Sequence, residues 1–282
     1  MYSINSICVC GAGTMGSGIA QLVAQNGFPI ILFDVNEKVL NNSKTSITKN
    51  LETLVTKGKL TNEQLVSIFS NIHFTTNIQH CNADIIIEAI IEKLEAKIDL
   101  FQQLAAINSS TTIFATNTSS IAISAIANAI TNPERLAGLH FFNPATIMKL
   151  VEIITTEQTN HAVIEALIKL SNKLQKTPVV CKDAPGFIVN RVARHYYLEA
   201  MKLVELDLAE IDTVDAVMEA NGFKMGPFKL MDLIGNDINF SVSEIVYNAL
   251  DKPERLKPSI LQQEKVTVGH LGKKSGKGFY KY

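Results

Sequence analysis

The chain has 282 residues, of which 46% are hydrophobic and 19% charged, a balance typical of a globular protein with room for two domains. Its formal net charge of -1 creates no overall field that would attract nucleic acid or an acidic membrane. No window approaches the roughly 18 apolar residues of a membrane span, and no secretory signal pattern is visible, so we expect a cytoplasmic protein or one of an organelle matrix.

Short apolar runs alternate with helical patterns through the first part of the chain. The predicted strands are Ser6 to Cys10, Ile30 to Phe33, Ile85 to Glu88, Thr112 to Ala115, Leu136 to Phe141, Leu150 to Ile154 and Thr177 to Val180. The predicted helical stretches are Gly13 to Gln25, Asn36 to about Phe69, Glu92 to Ala106 and His161 to Leu174. This alternation predicts a mainly parallel, doubly wound α/β sheet of the Rossmann-like class, with helices on both faces.

The pattern changes at Ala184-Pro185-Gly186, and strand-like runs almost vanish beyond it. The predicted helices there are Asn190 to Leu206, Leu208 to Asn221, Leu230 to Asp251 and Pro258 to Val268. We therefore predict a nucleotide-binding domain over residues 1–184 and an all-helical domain over residues 185–282, which is a normal domain size.

The four cysteines show no C-x-x-C pair. Cys8 and Cys10 point to the same face of a predicted strand, because side chains alternate along it. Together with Cys81 and Cys181 they are predicted to be small buried hydrophobic residues rather than redox groups or ligands, so we expect no metal.

The segment from Gly11 to Gly16, including Thr14 and Met15, has the pattern G-x-G-x-x-G. An apolar strand precedes it and an amphipathic helix follows, which is the context of a dinucleotide-binding turn around Gly13. Asp34 ends the second strand, where a carboxylate accepts hydrogen bonds from ribose hydroxyls and repels a 2′-phosphate. We therefore predict NAD rather than NADP, with a flavin dinucleotide as the alternative.

Polar residues also follow later strands of the predicted sheet. The run Thr116 to Ser120 lies at the carboxyl end of one strand, where ligands bind in such sheets. His140 ends another strand and Glu152 lies in the next, and a short connection through Asn143-Pro144 would bring the two together. A histidine held by a carboxylate suits the removal of a hydroxyl proton. On spacing alone, a structural histidine and a glutamate on a solvated strand face remain the alternatives.

Six ordered motifs extend this pattern nearly from end to end: G-A-G-T-M-G-S-G-I-A-Q, A-T-N-T-S-S, H-F-F-N-P, M-K-L-V-E, D-A-P-G-F-I-V-N-R and G-K-K-S-G-K-G-F-Y. In this set and order the chain resembles the 3-hydroxyacyl-CoA dehydrogenase family. The resemblance is closest to the short stand-alone form, 3-hydroxybutyryl-CoA dehydrogenase, because the chain appears complete at both ends. It implies hydride transfer between NAD and a 3-hydroxyacyl-CoA in fatty-acid or butanoate metabolism.

The resemblance also implies roles for individual residues. His140 would be the general base and Glu152 its orienting partner, while Ser119 and Asn190 would hold the 3-oxygen of the substrate. Asn143 would help to position the substrate or the nicotinamide. The remaining positions implied to line the cofactor site are Glu92, Lys97, Asn117 and Lys274.

Contacts with the acyl-CoA substrate are implied for Asn50 and Lys57. The alternative for the lysines of Lys57-Gly58-Lys59 is a solvated helix end, where lysine is favoured near the C-terminus. The family further implies a homodimer formed through the helical domain, and neither nucleic acid nor membrane is an expected partner.

Two other functions remain open on the sequence. A related dehydrogenase would act on a free 3-hydroxy acid or sugar acid, and a non-catalytic crystallin-like protein would bind NAD without turnover. The non-catalytic alternative predicts the loss of at least one of Ser119, His140, Glu152 and Asn190, and all four are present. A thiol-based dehydrogenase is disfavoured, because no cysteine lies in the segments expected to reach the nicotinamide.

Overall fold

A computed structural model describes Tyr2 and residues 4–282. The contacts within it divide the chain into two compact units, one ending at Asp183 and the other beginning at Ala184. None of the helices in this described part of the chain combines the length and apolarity that a membrane crossing needs.

The first unit is built on one sheet of eight strands. They are β1 Ile7–Cys10, β2 Ile30–Phe33, β3 Ile72–Thr75, β4 Ile85–Glu88, β5 Ile113–Thr116, β6 Leu136–Phe141, β7 Leu150–Thr155 and β8 Thr177–Lys182. The strand order is β3-β2-β1-β4-β5-β6-β7-β8, and every neighbouring pair is parallel except β6 and β7, which are antiparallel. The predicted Rossmann-like, mainly parallel sheet is therefore confirmed.

Helices cover both faces of this sheet. They are α1 Thr14–Gln25, α2 Glu37–Thr56, α3 Asn62–Ser70, α4 Leu94–Ile107, α5 Ile123–Ala127 and α6 His161–Lys173. All four residues of β1, β4 and β5 are buried, as expected for central parallel strands, and α1 adds Ile19, Leu22 and Val23 to the core. The strand order reverses at β1, so the carboxyl ends of β1 and β4 border the crevice in which such sheets bind ligands.

Two elements of the first unit differ from the prediction. The single amphipathic stretch after β2 is two helices, because Gly58 has φ 66° and Thr61 caps a new helix with Gln64 as its reciprocal partner. The edge strand β3 was missed because it alternates apolar and polar residues, with His73 exposed between Ile72 and Phe74, which leaves no apolar run to detect. The short helix α5 was also absent from the prediction.

The second unit is helical, with α7 Val189–Glu205, α8 Ile211–Ala220, α9 Pro227–Ile234, α10 Asn236–Ala249 and α11 Ile260–Thr267. The stretch predicted as one helix near Leu230 to Asp251 is two, because Gly235 between α9 and α10 has φ 106°. The buried carboxylate of Asp232 accepts hydrogen bonds from the backbone N–H groups of Phe279 and Tyr280, both at 2.9 Å, which fixes the C-terminal segment.

Candidate functional site

The turn between β1 and α1 uses its three glycines in three ways. Gly11 has φ 103°, and a Cβ there would lie 2.5 Å from the carbonyl oxygen of Ala89. A Cβ on Gly16 would lie 1.7 Å from the carbonyl oxygen of Gly11, so this glycine permits the close packing of helix and strand. A Cβ on Gly13 would meet no protein atom within 4 Å. Gly13 is thus not required by internal packing, which is consistent with a need for close approach by a ligand.

The same turn presents a helix N-terminus. Gly13 is the N-cap of α1 and makes no side-chain cap, and the first turn carries no acidic residue. The first amides of a helix lack partners within the helix and carry the positive end of its dipole. Thr14 and Met15 therefore lie where a pyrophosphate would be bound by backbone N–H groups.

Asp34 follows β2 and is held by two backbone hydrogen bonds. Its Oδ2 accepts from the N–H of Ala12 at 2.8 Å and its Oδ1 from the N–H of Asn36 at 2.9 Å. These contacts fix the carboxylate beside the glycine turn. Each carboxylate oxygen can accept more than one hydrogen bond, so capacity remains for ribose hydroxyls.

A cavity of about 940 Å³ joins the glycine turn to Asp34. Sequence reasoning found Gly11, Gly13 and Asp34 but missed most of the wall, because the wall comes from segments that only the sheet order brings beside β1. The further lining residues are Phe33, Val35, Asn36, Val39, Thr76, Asn77, Ile78, Ala89, Ile90, Ile91, Ala96, Asp99, Leu100 and Gln103. The volume, the apolar wall and the few polar groups fit the adenosine part of NAD.

Behind this cavity, Lys97 is buried between two carboxylates. Its Nζ lies 2.6 Å from Oε1 of Glu88 and 3.1 Å from Oε2 of Glu92. Glu88 is fully buried at the end of β4, and its other oxygen accepts a hydrogen bond of 2.6 Å from the Thr116 hydroxyl. Burial raises the pKa of Glu92, but Lys97 and the hydroxyls of Thr118 and Ser120 outweigh it and lower that pKa overall.

Glu92 in turn holds the loop after β5. Its Oε1 accepts hydrogen bonds from the Thr118 hydroxyl, from the Ser119 N–H at 3.2 Å and from the Ser120 hydroxyl at 2.7 Å. Asn117 ties this loop to the next strand, because its Oδ1 accepts from the N–H of Phe141 at 2.8 Å. The N–H of Asn117 also donates to the carbonyl oxygen of Glu88 at 2.8 Å, so four predicted site residues belong to one network: Glu92, Lys97, Asn117 and Ser119.

His140 and Glu152 lie directly opposite each other in the antiparallel pair of β6 and β7. Nδ1 of His140 is 2.8 Å from Oε2 of Glu152, and the two residues are only 5% and 1% exposed. Because a carboxylate only accepts, the proton of a neutral imidazole is assigned to Nδ1. The aromatic ring of Phe142 packs against the imidazole with ring centroids 4.5 Å apart.

Lys176 stabilises the turn between β6 and β7 through two hydrogen bonds. Its ammonium donates hydrogen bonds to the carbonyl oxygens of Ala145 at 2.6 Å and Met148 at 2.8 Å. Burial lowers the pKa of this lysine. Sequence reasoning missed Lys176, because nothing near it in the chain marks it as buried. It steadies the turn that carries Asn143, which is exposed and joined to Pro144 by a cis peptide bond.

The other predicted site residues lie outside the glycine turn, the network around Glu92 and the His140–Glu152 pair. Asn50 is exposed on α2 and donates to Oε1 of Gln21 at 3.2 Å, and Lys57 is the exposed C-cap of the same helix. In the second unit, Asn190 is the second residue of α7 and is half-buried. Lys274 pairs with Asp237 at 2.6 Å.

Comparison with known proteins places these features in a family. Residues 6–184 match the model of the 3-hydroxyacyl-CoA dehydrogenase NAD binding domain, and residues 186–282 match that of the C-terminal domain of the same family. The chain is 46% identical to a 3-hydroxyadipyl-CoA dehydrogenase of Escherichia coli over 99% of its own length, and it spans 59% of that relative. It is 41% identical to a probable 3-hydroxybutyryl-CoA dehydrogenase of Deinococcus radiodurans, covering 97% of this chain and 99% of the relative.

Solved structures agree with these matches. The crystal structure of (S)-3-hydroxybutyryl-CoA dehydrogenase from Ralstonia eutropha is 34% identical, with a TM-score of 0.94 and 99% of each chain covered. A 3-hydroxybutyryl-CoA dehydrogenase structure from Escherichia coli gives a TM-score of 0.95 at 46% identity, covering 99% of this chain and 60% of that one. The predicted fold class and the prediction of NAD as cofactor are confirmed. The chain belongs to the 3-hydroxyacyl-CoA dehydrogenase family.

Proposed function

We propose that the chain interconverts a (S)-3-hydroxyacyl-CoA and its 3-ketoacyl-CoA, using NAD, with a short acyl group such as that of 3-hydroxybutyryl-CoA and acetoacetyl-CoA. The observation that carries the proposal is the buried contact of 2.8 Å between His140 and Glu152. The same sheet carries a dinucleotide-binding turn, and the chain belongs to a family with this activity.

His140 acts as the proton carrier. With Nδ1 bonded to Glu152, the exchange of a proton with the substrate hydroxyl is assigned to Nε2. The carboxylate holds the ring orientation and stabilises the imidazolium that forms during oxidation. NAD supplies the hydride acceptor when bound. In the reverse direction the imidazolium returns its proton to the forming alkoxide.

The other assignments complete the proposal. Ser119 and Asn190 hydrogen-bond the 3-oxygen, where charge changes most during the reaction. Asn143 positions the substrate or the nicotinamide, and Asn50 and Lys57 contact CoA. The cofactor is held by Gly11, Gly13, Thr14, Met15, Gly16, Asp34, Glu92, Lys97, Asn117 and Lys274.

We assign most of the cofactor site to residues 1–184, as the NAD-binding domain, and assign homodimer formation and the substrate contact of Asn190 to residues 185–282. A cytoplasmic location is part of the same proposal. Sedimentation would test the dimer, and cell fractionation would test the location.

The first test is NADH absorbance during addition of acetoacetyl-CoA, with free acetoacetate and NADPH as parallel controls. We expect rapid loss of NADH with the thioester only, and little turnover of NADPH because Asp34 repels a 2′-phosphate. Turnover of the free acid would favour the free-acid dehydrogenase. Binding of NADH without turnover of any acyl-CoA would favour the non-catalytic protein.

The acyl group needs its own comparison, because one relative is named for 3-hydroxyadipyl-CoA and others for 3-hydroxybutyryl-CoA. The ratio kcat/KM should be measured with both hydroxyacyl thioesters and NAD. A higher value for 3-hydroxybutyryl-CoA is expected. A higher value for the dicarboxylic thioester would keep the reaction and change the proposed substrate.

A further inference from the structure

Three cysteine sulfurs lie close together in the interior of the first unit, beside β1. Cys8 and Cys10 lie on one face of β1, and Cys81 lies between the helical turn Ile78–His80 and β4. All three residues have no exposed surface. Their sulfur atoms lie within 4.8 Å of one another, and those of Cys8 and Cys10 are 3.9 Å apart.

The backbone holds Cys81 in place on both sides. Its N–H donates to the carbonyl oxygen of Ile78 at 2.9 Å, and its own carbonyl oxygen accepts from Nδ2 of Asn108 at 2.7 Å. The third sulfur is therefore presented to β1 by a fixed loop, whereas Cys8 and Cys10 are set by the central strand of the sheet. The backbone therefore holds all three cysteines in position without an ion.

The sulfur spacing suits an ion better than a disulfide. A disulfide requires a bond of about 2.05 Å and a specific Cβ geometry, and the sulfurs of Cys8 and Cys10 project in parallel from one extended strand. A three-coordinate ion with metal–sulfur bonds of about 2.3 Å holds its sulfurs about 4 Å apart. The separation of 3.9 Å between the sulfurs of Cys8 and Cys10 matches that value, and no separation in the cluster exceeds 4.8 Å, so movements of less than about 1 Å would complete the coordination.

The number and type of ligands select the ion. Thiolates are soft ligands that favour Cu(I), Zn²⁺ and iron–sulfur clusters. Zn²⁺ in structural sites takes four ligands, whereas the group found among the described residues contains three sulfurs and no histidine or carboxylate.

The side chain of Cys81 is buried, but the loop that carries it is exposed on both sides of it. The neighbours in sequence, His80 and Asn82, are exposed, so only a thin layer of loop covers this sulfur. Local opening of such a loop costs much less than global unfolding and gives a small ion a route to the site.

We propose that Cys8, Cys10 and Cys81 form a three-coordinate thiolate site for Cu(I). The metal binds without a change of oxidation state, and the thiol protons that it displaces are released to solvent. This site differs from the sequence-based prediction, which assigned the cysteines to packing alone. The sequence did not reveal that Cys81 lies beside β1. Cys81 is 71 residues after Cys10 in the chain, and only the fold brings the two together.

The test is an anaerobic titration of the reduced full chain with Cu(I), in competition with a Cu(I) chelator. We expect one tightly held copper per chain, with X-ray absorption showing three sulfur neighbours at about 2.3 Å. The variant Cys181→Ser should keep that copper, because Cys181 lies outside the cluster. The variants Cys81→Ala and Cys8→Ala should each lose it.

Copper retained in both Cys81→Ala and Cys8→Ala, lost in Cys181→Ser, or absent from the unmodified chain would overturn the proposal. Circular dichroism and thermal melting without copper check that each variant folds. If an alanine variant fails to fold, the sulfur count around copper in Cys181→Ser decides: three sulfurs support the site, and fewer contradict it.

Discussion

The glycine turn and the His140–Glu152 pair lie on the same sheet but are built in different ways. The turn is made from six consecutive residues, and its shape follows from the lack of side chains at Gly11 and Gly16. The histidine pair joins residues on two strands, and it exists only because β6 and β7 are antiparallel and in a particular register. A shift of one residue in that register would turn one of the two side chains to the opposite face.

The two sites therefore depend on different features of the chain. The turn depends on backbone sterics, so adding a single carbon atom is enough to disturb it. The histidine pair depends on the type of side chain, and its surroundings exclude water from both residues. Substitutions should therefore affect cofactor binding in the turn and turnover in the pair.

The largest expected effect is on turnover. His140→Gln should reduce kcat by about 10²- to 10⁴-fold, because the general base is lost, while the Kd for NADH changes little. The matched control is His161→Gln, because His161 also faces a glutamate, Glu165, at 3.6 Å but is exposed on a helix. Normal turnover in His140→Gln, or an equal loss in both variants, would contradict the assigned role.

Two alanine substitutions separate folding from binding in the turn. Gly16→Ala should destabilise the protein by about 1–3 kcal/mol or more, because the new Cβ overlaps the Gly11 carbonyl oxygen. Gly13→Ala should leave the free energy of unfolding within about 0.5 kcal/mol, because no protein atom is near. Both should bind NADH more weakly in a fluorescence titration. Unchanged NADH affinity in Gly13→Ala would remove this residue from the cofactor site.

The turn between β6 and β7 should depend on Lys176. Lys176→Met leaves the buried carbonyl oxygen of Ala145 and the partly buried one of Met148 without their donor, so the free energy of unfolding in urea should fall by about 1–3 kcal/mol. Lys182→Met is the control, because Lys182 is exposed at the other end of β8. Equal stability of the two variants would show that the turn is held by its other contacts.

The smallest effect is a pH dependence at Glu92. Its pKa is lowered in the folded chain, so its carboxylate stabilises the fold above the unfolded pKa of about 4.3, and this contribution is lost as the pH falls through the lower folded value. Urea unfolding should therefore show Glu92→Gln less stable than the unmodified chain at pH 7, with the gap closing in acid. Glu157→Gln, at an exposed position, should show no such gap. A difference in the free energy of unfolding that grows in acid would contradict the lowered pKa of Glu92.

The strands β2, β4 and β6 were predicted with their observed bounds, because each consists mainly of apolar residues and a charged residue borders or ends it. Edge strand β3 lacked such a run. The helix break at Gly235 was also missed, since glycine inside a helical pattern does not reveal a φ of 106°. In the site, Lys176 and most of the cavity wall carried no local signal.

The sequence alone determined the glycine turn, the acidic residue after β2 and the family, because these depend on consecutive residues and on the order of motifs. The tertiary structure decided which distant residues line one cavity, which form a hydrogen bond and which sulfur atoms lie close together. It placed Ile90 and Thr76 in the same cavity, buried Lys97 between two carboxylates and brought Cys81 to β1. Those contacts depend on strand order and register, which long-range pairing sets.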